Sequence, residues 1–383
     1  MTNPLLQPSP HKFGAVPFDV IKPEHFVPAL DQRIEDAKAA IAAIKQAKEA
    51  TFETIVVPLA GATRTTEEVA SVFYNLNACH GTAEIQALAK TIMPKLSALE
   101  NDINLDAELF DKVKTAYEAS REREDLDRED NRLLRKIYRG FARNGALLGE
   151  EDKAKLREID NQLSSLSPQF HENILKATND YQLVIEDQTE LAGLPESAVE
   201  AAAATAQEKG LEGKWVFTLH APSVMPLLKF CDSEKRRQEI WLAYNKRSHG
   251  GSHSNLETIK EIVGLRHKRA QLLGYKTHAE FQLEERMAET PERVHEFLRD
   301  LLSASKPAAQ KEVEELAELK KASTGDGQLQ PWDWHYYSNK LKEQKFSYNE
   351  EDLRPYFELD RVLEGVFLHA KKLYGLEFKK IDN

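Results

Sequence analysis

The chain has 383 residues, a formal net charge of −11, and 41% apolar against 30% charged residues. That length exceeds what one hydrophobic core usually organises, so it calls for two domains or one large helical body; the composition excludes wholesale disorder. The acidic balance, with no Lys/Arg-dominated stretch to override it, argues against non-specific nucleic-acid binding. Only Cys79 and Cys231 could carry thiol chemistry, which excludes a disulfide framework and points to a reducing compartment. The start, MTNPLLQPSPHKFG, lacks the basic region and apolar run of a signal peptide. No apolar stretch is long enough to span a bilayer. The expectation is a cytoplasmic protein without membrane or nucleic-acid partners.

The first 24 residues hold Pro4, Pro8, Pro10, Pro17 and Pro23 and should form an extended arm, pinned to the body by Phe13, Val16, Phe18 and Ile21. From Phe26 to about Thr178 the pattern is helical, giving an N-terminal helical domain over 25–178. Leu30, Ile34, Ala37, Ile41 and Ile44 recur at three- and four-residue steps, one buried face of a helix. A helix pair over 83–104 and 107–123 is divided by a polar turn at Asn104–Asp106. The charge run EDLDREDN at 124–131 reads as a solvated helix start with acids at its positive end. The spacing of Leu156, Ile159, Leu163, Leu166 and Phe170 predicts a helix over 152–177, kinked at Pro168.

The second region, 179–383, contains the few strand signals. Tyr181–Ile185 and Trp215–Leu219 concentrate β-formers, flank a helix at 196–209 and should pair in a small sheet. Helices are expected again at 222–230, 233–247, 255–273, 277–287 and 291–322. The last opens on Thr290-Pro291, a cap followed by proline at the first helical position, and runs an apolar face through Val294, Phe297, Leu298 and Leu301. Gly325-Asp326-Gly327 ends it. A helix near 359–374 follows, then Gly375 and a possible strand at Leu376–Ile381. The fold class is therefore mainly α, with a small β element near 181–185 and 215–219. A chain stopping just after a helix, a glycine and a β-like segment reads as cut within a larger architecture.

A self-contained zinc peptidase needs His-Glu-x-x-His on a helix, which places both imidazoles on one face beside the glutamate. His171-Glu172 is followed at the required position by Leu175, and His295-Glu296 by Arg299. His249 and His253 are correctly spaced, but Gly250 and Gly251 between them favour a loop. His80 beside Cys79 has no third group to orient a nucleophile–base pair. No glycine-rich phosphate loop, dinucleotide fingerprint or Gly-x-Ser-x-Gly occurs. No metal ligand and no catalytic residue can be named in this chain. The densest aromatic cluster is Trp332, Trp334, Tyr336 and Tyr337. These cannot all face one core from one helix, and aromatics with polar handles suit peptide binding, so they are the candidate substrate-contacting residues.

The segment holding that cluster, PWDWHYYSNKLKEQKFSYNEEDLRPYFELDRVLEGVF at 331–367, resembles a signature region of the thimet oligopeptidase, oligopeptidase A and peptidyl-dipeptidase (dipeptidyl carboxypeptidase) family of zinc metallopeptidases. Matching stretches include PFDVIKPEHFVPAL at 17–30, SVFYNLNACH at 71–80, EDKAKLREIDNQLSSLSPQFHENIL at 151–175, LAGLPESAVEAAAATAQEKGLEGKWVFTL at 191–219 and LRHKRAQLLGYKTHAEFQLEERMAETPERVHEFL at 265–298. The Trp-Asp-Trp form and the segment 191–219 are most similar to the bacterial peptidyl-dipeptidase branch.

The resemblance implies a mostly helical zincin-like fold in which a deep channel between domains admits short peptides. It also implies one zinc, held by His-Glu-x-x-His and a downstream glutamate, with a tyrosine and a histidine stabilising the tetrahedral intermediate. The peptidyl-dipeptidase branch releases dipeptides from free C-termini. None of those catalytic elements maps onto a residue here. The expectation is an N-terminal portion that supplies a channel wall, binds no zinc and is inactive alone. It would self-associate through apolar surface meant for the missing part. The alternative is a naturally shortened, non-catalytic homologue that binds peptides or a partner.

Overall fold

The computed structural model describes residues 3–347 and 350–380. In chain order its first helices are α1 (Phe26–Lys45), α2 (Val57–Gly61), α3 (Arg64–Cys79), α4 (Ala83–Asn104), α5 (Ala107–Ser120), α6 (Arg128–Phe141) and α7 (Glu150–Asp180). Next come α8 (Glu196–Glu208), α9 (Ala221–Phe230), α10 (Glu234–Asn245), α11 (Leu256–Leu272), α12 (His278–Leu283), α13 (Pro291–Thr324), α14 (Trp334–Phe346) and α15 (Leu359–Tyr374). Strands β1 (Leu183–Ile185) and β2 (Trp215–Phe217) pair antiparallel, with Val184 opposite Val216. The fold is mainly α with one small sheet, as the sequence pattern predicts. No described helix is long and apolar enough to cross a membrane. The chain divides into two compact units, Met1–Glu172 with Leu256–Pro291, and Asn173–Asn255 with Glu292–Asn383.

In the first unit, Phe26, Leu30 and Ile34 of α1 bury against Val69 and Phe73 of α3 and Ile85, Ile92 and Leu99 of α4. The far end of α1, with Ile41 and Ile44, joins a second cluster built on Leu109 and Val113 of α5 and Leu134 and Phe141 of α6. The described part of the N-terminal arm carries short 3-10 turns at Pro4–Leu6, Lys12–Gly14 and Pro23–His25. Leu5, Leu6 and Ile21 pack on the first cluster. Phe13 and Phe18, expected as pins, are exposed. A left-handed backbone at Phe13 (φ 61°) turns the arm there, and the buried Pro17 takes the inward position.

Helix α6 starts where Asp127 Oδ1 accepts the Glu129 and Asp130 amides at 2.7 and 2.8 Å. The charge run is thus the capped beginning of a helix, its carboxylates at the positive end of the dipole. Helix α7 continues through Pro168. Arg269 of α11 donates from Nε to Asp160 of α7 at 2.6 Å, both side chains largely buried. Helix α12 ends at Leu283 rather than extending to 287. Successive turns replace it, closing Arg286 N on Leu283 O and Glu289 N on Arg286 O.

In the second unit, Leu183, Ile185 and Phe217 of the sheet form a core with Ala202 of α8, Leu227 and Leu228 of α9, and Ile240 of α10. Gly193 (φ 85°) lets the chain pass under α9. A Cβ there would lie 2.3 Å from the Phe230 carbonyl oxygen and 2.7 Å from Asp232 Oδ1. The expected buried face at the front of α13 lies exposed, with Phe297 at 66% and Leu301 at 54%. Only Leu316 and Lys320 near its far end are buried. The segment after Gly375 forms no strand over 376–380, and Ile381 lies outside the described residues. An isolated segment finds no edge to satisfy its backbone groups.

Candidate functional site

The aromatic segment is built on α10. Ser233 Oγ caps that helix by accepting the Arg236 amide, and the spacing of Glu234, Arg237 and Trp241 then sets all three on one face. Against it lie a 3-10 turn, Pro331–Asp333, and the first turn of α14. Asp333 is fully buried at the centre. Its Oδ1 accepts Arg237 Nη2 at 2.9 Å, while Oδ2 accepts Lys320 Nζ at 2.6 Å and the Gln330 amide at 3.1 Å. Arg237 also donates to the Cys231 and Asp232 carbonyls, at 2.8 and 3.1 Å. Lys320 reaches the Gln328 carbonyl at 3.0 Å and Glu234 Oε1 at 3.4 Å. Two buried cations therefore face one buried carboxylate and one half-exposed one, and such groups persist only when paired and hydrogen-bonded. Burial alone would raise the Asp333 carboxyl; Lys320 and Arg237 outweigh it and hold the group below its ordinary value. For Lys320 burial opposes the charge, and Asp333 overrides that to raise the ammonium above its ordinary range.

Around this cluster the structure places each aromatic candidate separately. Trp332 Nε1 donates to Glu234 at 3.2 Å, and the indole packs edge-on to Trp241 at 6.0 Å. Tyr336 donates its hydroxyl to Asp232 Oδ1 at 2.8 Å, and its ring carries the Arg237 guanidinium at 4.1 Å. Burial, then the Asp232 carboxylate, pushes its phenol above the ordinary tyrosine range. Tyr337 is buried edge-on to Tyr336 at 5.0 Å. Trp334 is the exposed member, at 41%. The four therefore do not share one open surface: three are occupied within the unit and one presents its ring outward. The residues that organise the site, Asp333, Arg237, Lys320 and Glu234, went unread in the sequence. The linear trace, the i, i+3, i+7 spacing on α10, belongs to Glu234 and Arg237 with Trp241.

The comparisons with known proteins meet the chain at these residues. A model of peptidase family M3 matches 227–383, which takes in α10 and the whole aromatic segment. Oligopeptidase A of Salmonella typhimurium is 34% identical over 389 residues, covering 99% of this chain and 56% of the relative. The chain belongs to peptidase family M3. Oligopeptidase A of Haemophilus influenzae is also 34% identical over 390 residues, and dipeptidyl carboxypeptidase of Escherichia coli is 33% identical over 379. They cover 100% and 98% of this chain and 56% of each relative. The chain spans about half the length of the relatives it matches.

Zinc is the metal that the family resemblance implies, and the described residues of this M3 chain bring no donor set for it together. Among the described residues no three His, Cys, Asp or Glu side chains converge. His171 holds the Ser167 carbonyl through Nδ1 at 2.8 Å, and the adjacent Glu172 pairs with Lys90 at 2.7 Å. His295 and Arg299 lie exposed on α13. His253 sits in a 3-10 turn with His249 shortly before it, and His253 Nε2 is on Asp180 at 2.8 Å. Cys79 is exposed beside His80, and Cys231 is buried, its thiol raised by desolvation. No reaction step can be routed through metal on these residues.

Proposed function

We propose that this chain is part of a cytoplasmic zinc metallopeptidase that removes C-terminal dipeptides from short peptides or cleaves within them. The observation that carries the reading is ordered similarity along almost the whole chain to both oligopeptidase A and dipeptidyl carboxypeptidase. In this reading the zinc, its ligands and the general base belong to sequence beyond these 383 residues, and the present residues supply scaffold and peptide contacts. Trp334, exposed at the start of α14, is the foremost of those contacts, with Trp332, Tyr336 and Tyr337 next to it in the chain.

The chain alone should hydrolyse no short peptide. An assay with added zinc tests this: chelator-sensitive release of dipeptides by the pure chain would refute it. Reading the gene in frame past the Asn383 codon supplies the second arm, where His-Glu-x-x-His is expected. The competing reading, a shortened homologue that binds peptides without cleaving them, draws on the outward Trp334. An immediate stop codon together with peptide-dependent quenching lost in Trp334→Ala would favour it.

A further inference from the structure

Helix α6 has two opposed faces. Leu134 and Phe141 are buried in the core, with Leu133, Ile137 and Tyr138 packed beside them. The other face carries Arg132, Arg135, Lys136 and Arg139, and Arg143 follows one turn later. These cations sit three and four residues apart, so each repels its neighbours along the helix. Arg286, from the turns after α12, joins them, and the six cations with Gln282 and Glu285 line a groove of about 660 Å³ in the first unit.

The cations differ in how they are neutralised. Arg143 is a fixed wall: its Nε and Nη1 reach Glu284 and Glu285 at 3.0 and 3.3 Å, its Nη2 donates to the Phe281 carbonyl, and it stacks on the Phe281 ring at 4.3 Å. Arg139 approaches the same two carboxylates at 3.7 and 3.9 Å. Tyr275 donates its hydroxyl to Glu284 at 2.6 Å, which ties that carboxylate down. By contrast, Arg132, Arg135, Lys136 and Arg286 form no ion pair among the described residues; Arg135 spends only Nε, on the Asn131 carbonyl at 3.1 Å. Four uncompensated cations thus converge on one concavity of a chain whose net charge is −11. Packing does not require them, because the inward face of α6 is satisfied by apolar side chains.

We infer that this groove is a binding site for a small, densely charged oligophosphate. Guanidinium forks match phosphate oxygens two at a time, and an ammonium adds a point charge. The row from Arg132 to Arg143 runs about 16 Å at the rise of a helix, which suits a short anion rather than a long polymer. No aromatic ring lines the groove, so it offers neither a stacking platform for a base nor an apolar pocket for a peptide side chain.

The test is calorimetric titration of the full chain with inorganic tripolyphosphate at fixed ionic strength. Wild type should bind, and Arg135→Gln/Lys136→Gln should weaken binding by about tenfold or more, the scale of two lost charge-assisted contacts. Lys38→Gln/Lys48→Gln, which removes the same net charge from exposed sites elsewhere, should bind as wild type does. Both pairs replace exposed side chains, and circular dichroism verifies their folding. Absence of tripolyphosphate binding, or equal weakening in the two double variants, would overturn the assignment. So would tighter binding of a Glu-rich hexapeptide or a single-stranded oligonucleotide than of tripolyphosphate, since the groove would then read peptide or nucleic acid.

Discussion

Asp333 shows how much one buried carboxylate can organise. With Arg237 and Lys320 both buried against it, Asp333→Ala would leave Arg237 without a counter-charge and Lys320 with only the half-exposed Glu234, and should cost about 3–5 kcal/mol, read by urea unfolding followed through the fluorescence of Trp332 and Trp241. The pH dependence has two arms. The Asp333 carboxyl is held below the ordinary aspartate value of 3.8, so its stabilisation is complete above that value and lost as pH falls through the folded-state value. The Lys320 ammonium is held above the ordinary lysine value of 10.5, so its contribution is complete below that pH and lost as pH rises beyond it. Asp333→Ala should flatten the acid arm. Gly193 is a second single-residue constraint. A methyl group there meets the Phe230 backbone oxygen, which cannot swing aside as a side chain would; Gly193→Ala should destabilise by about 1–3 kcal/mol, from strain at positive φ plus the clash. At this scale the sequence made the aromatic residues conspicuous but hid their partners. Arg237 lies 96 residues from Asp333, and nothing local marks a charge as buried.

At the scale of elements, periodicity and capping read well wherever both local signals and packing agree. Helices α4 and α5 begin and end close to the expected turn at Asn104–Asp106, because Asp106 caps α5 through the Leu109 amide at 2.9 Å and also holds Lys45 at 2.8 Å. Helix α6 depends on Asp127 in the same way, with one carboxylate oxygen accepting two amides. Asp127→Ala should cost about 1 kcal/mol, visible as a lower urea midpoint, whereas Asp127→Asn should largely preserve it. Periodicity and burial part at the front of α13. The front of α13 has the spacing of a buried face, yet Phe297, Leu298 and Leu301 are exposed. Amphipathic spacing says that a face seeks an apolar partner, not that the described residues supply one.

For the molecule as a whole, that exposed face and the one on α15 have a common consequence. Val362, Leu363, Val366 and Phe367 of α15 are all exposed, and no residue of that helix is buried. Apolar surface gathered on helices in this way promotes association. The isolated chain should therefore bind a hydrophobic dye and sediment as more than a monomer at micromolar concentration; a dye-negative monomer in velocity sedimentation would contradict this. The sequence alone determined the mainly α class, most helix positions, the small sheet and the family resemblance. All of these follow from local spacing, caps and ordered motifs along one chain. Only the tertiary structure decided which charges meet at Asp333, which of four neighbouring aromatics faces outward, and that cations interleaved with leucine and isoleucine share one groove. Those outcomes depend on residues distant in the chain coming together, and pairing or exposure is a property of that meeting rather than of any local pattern.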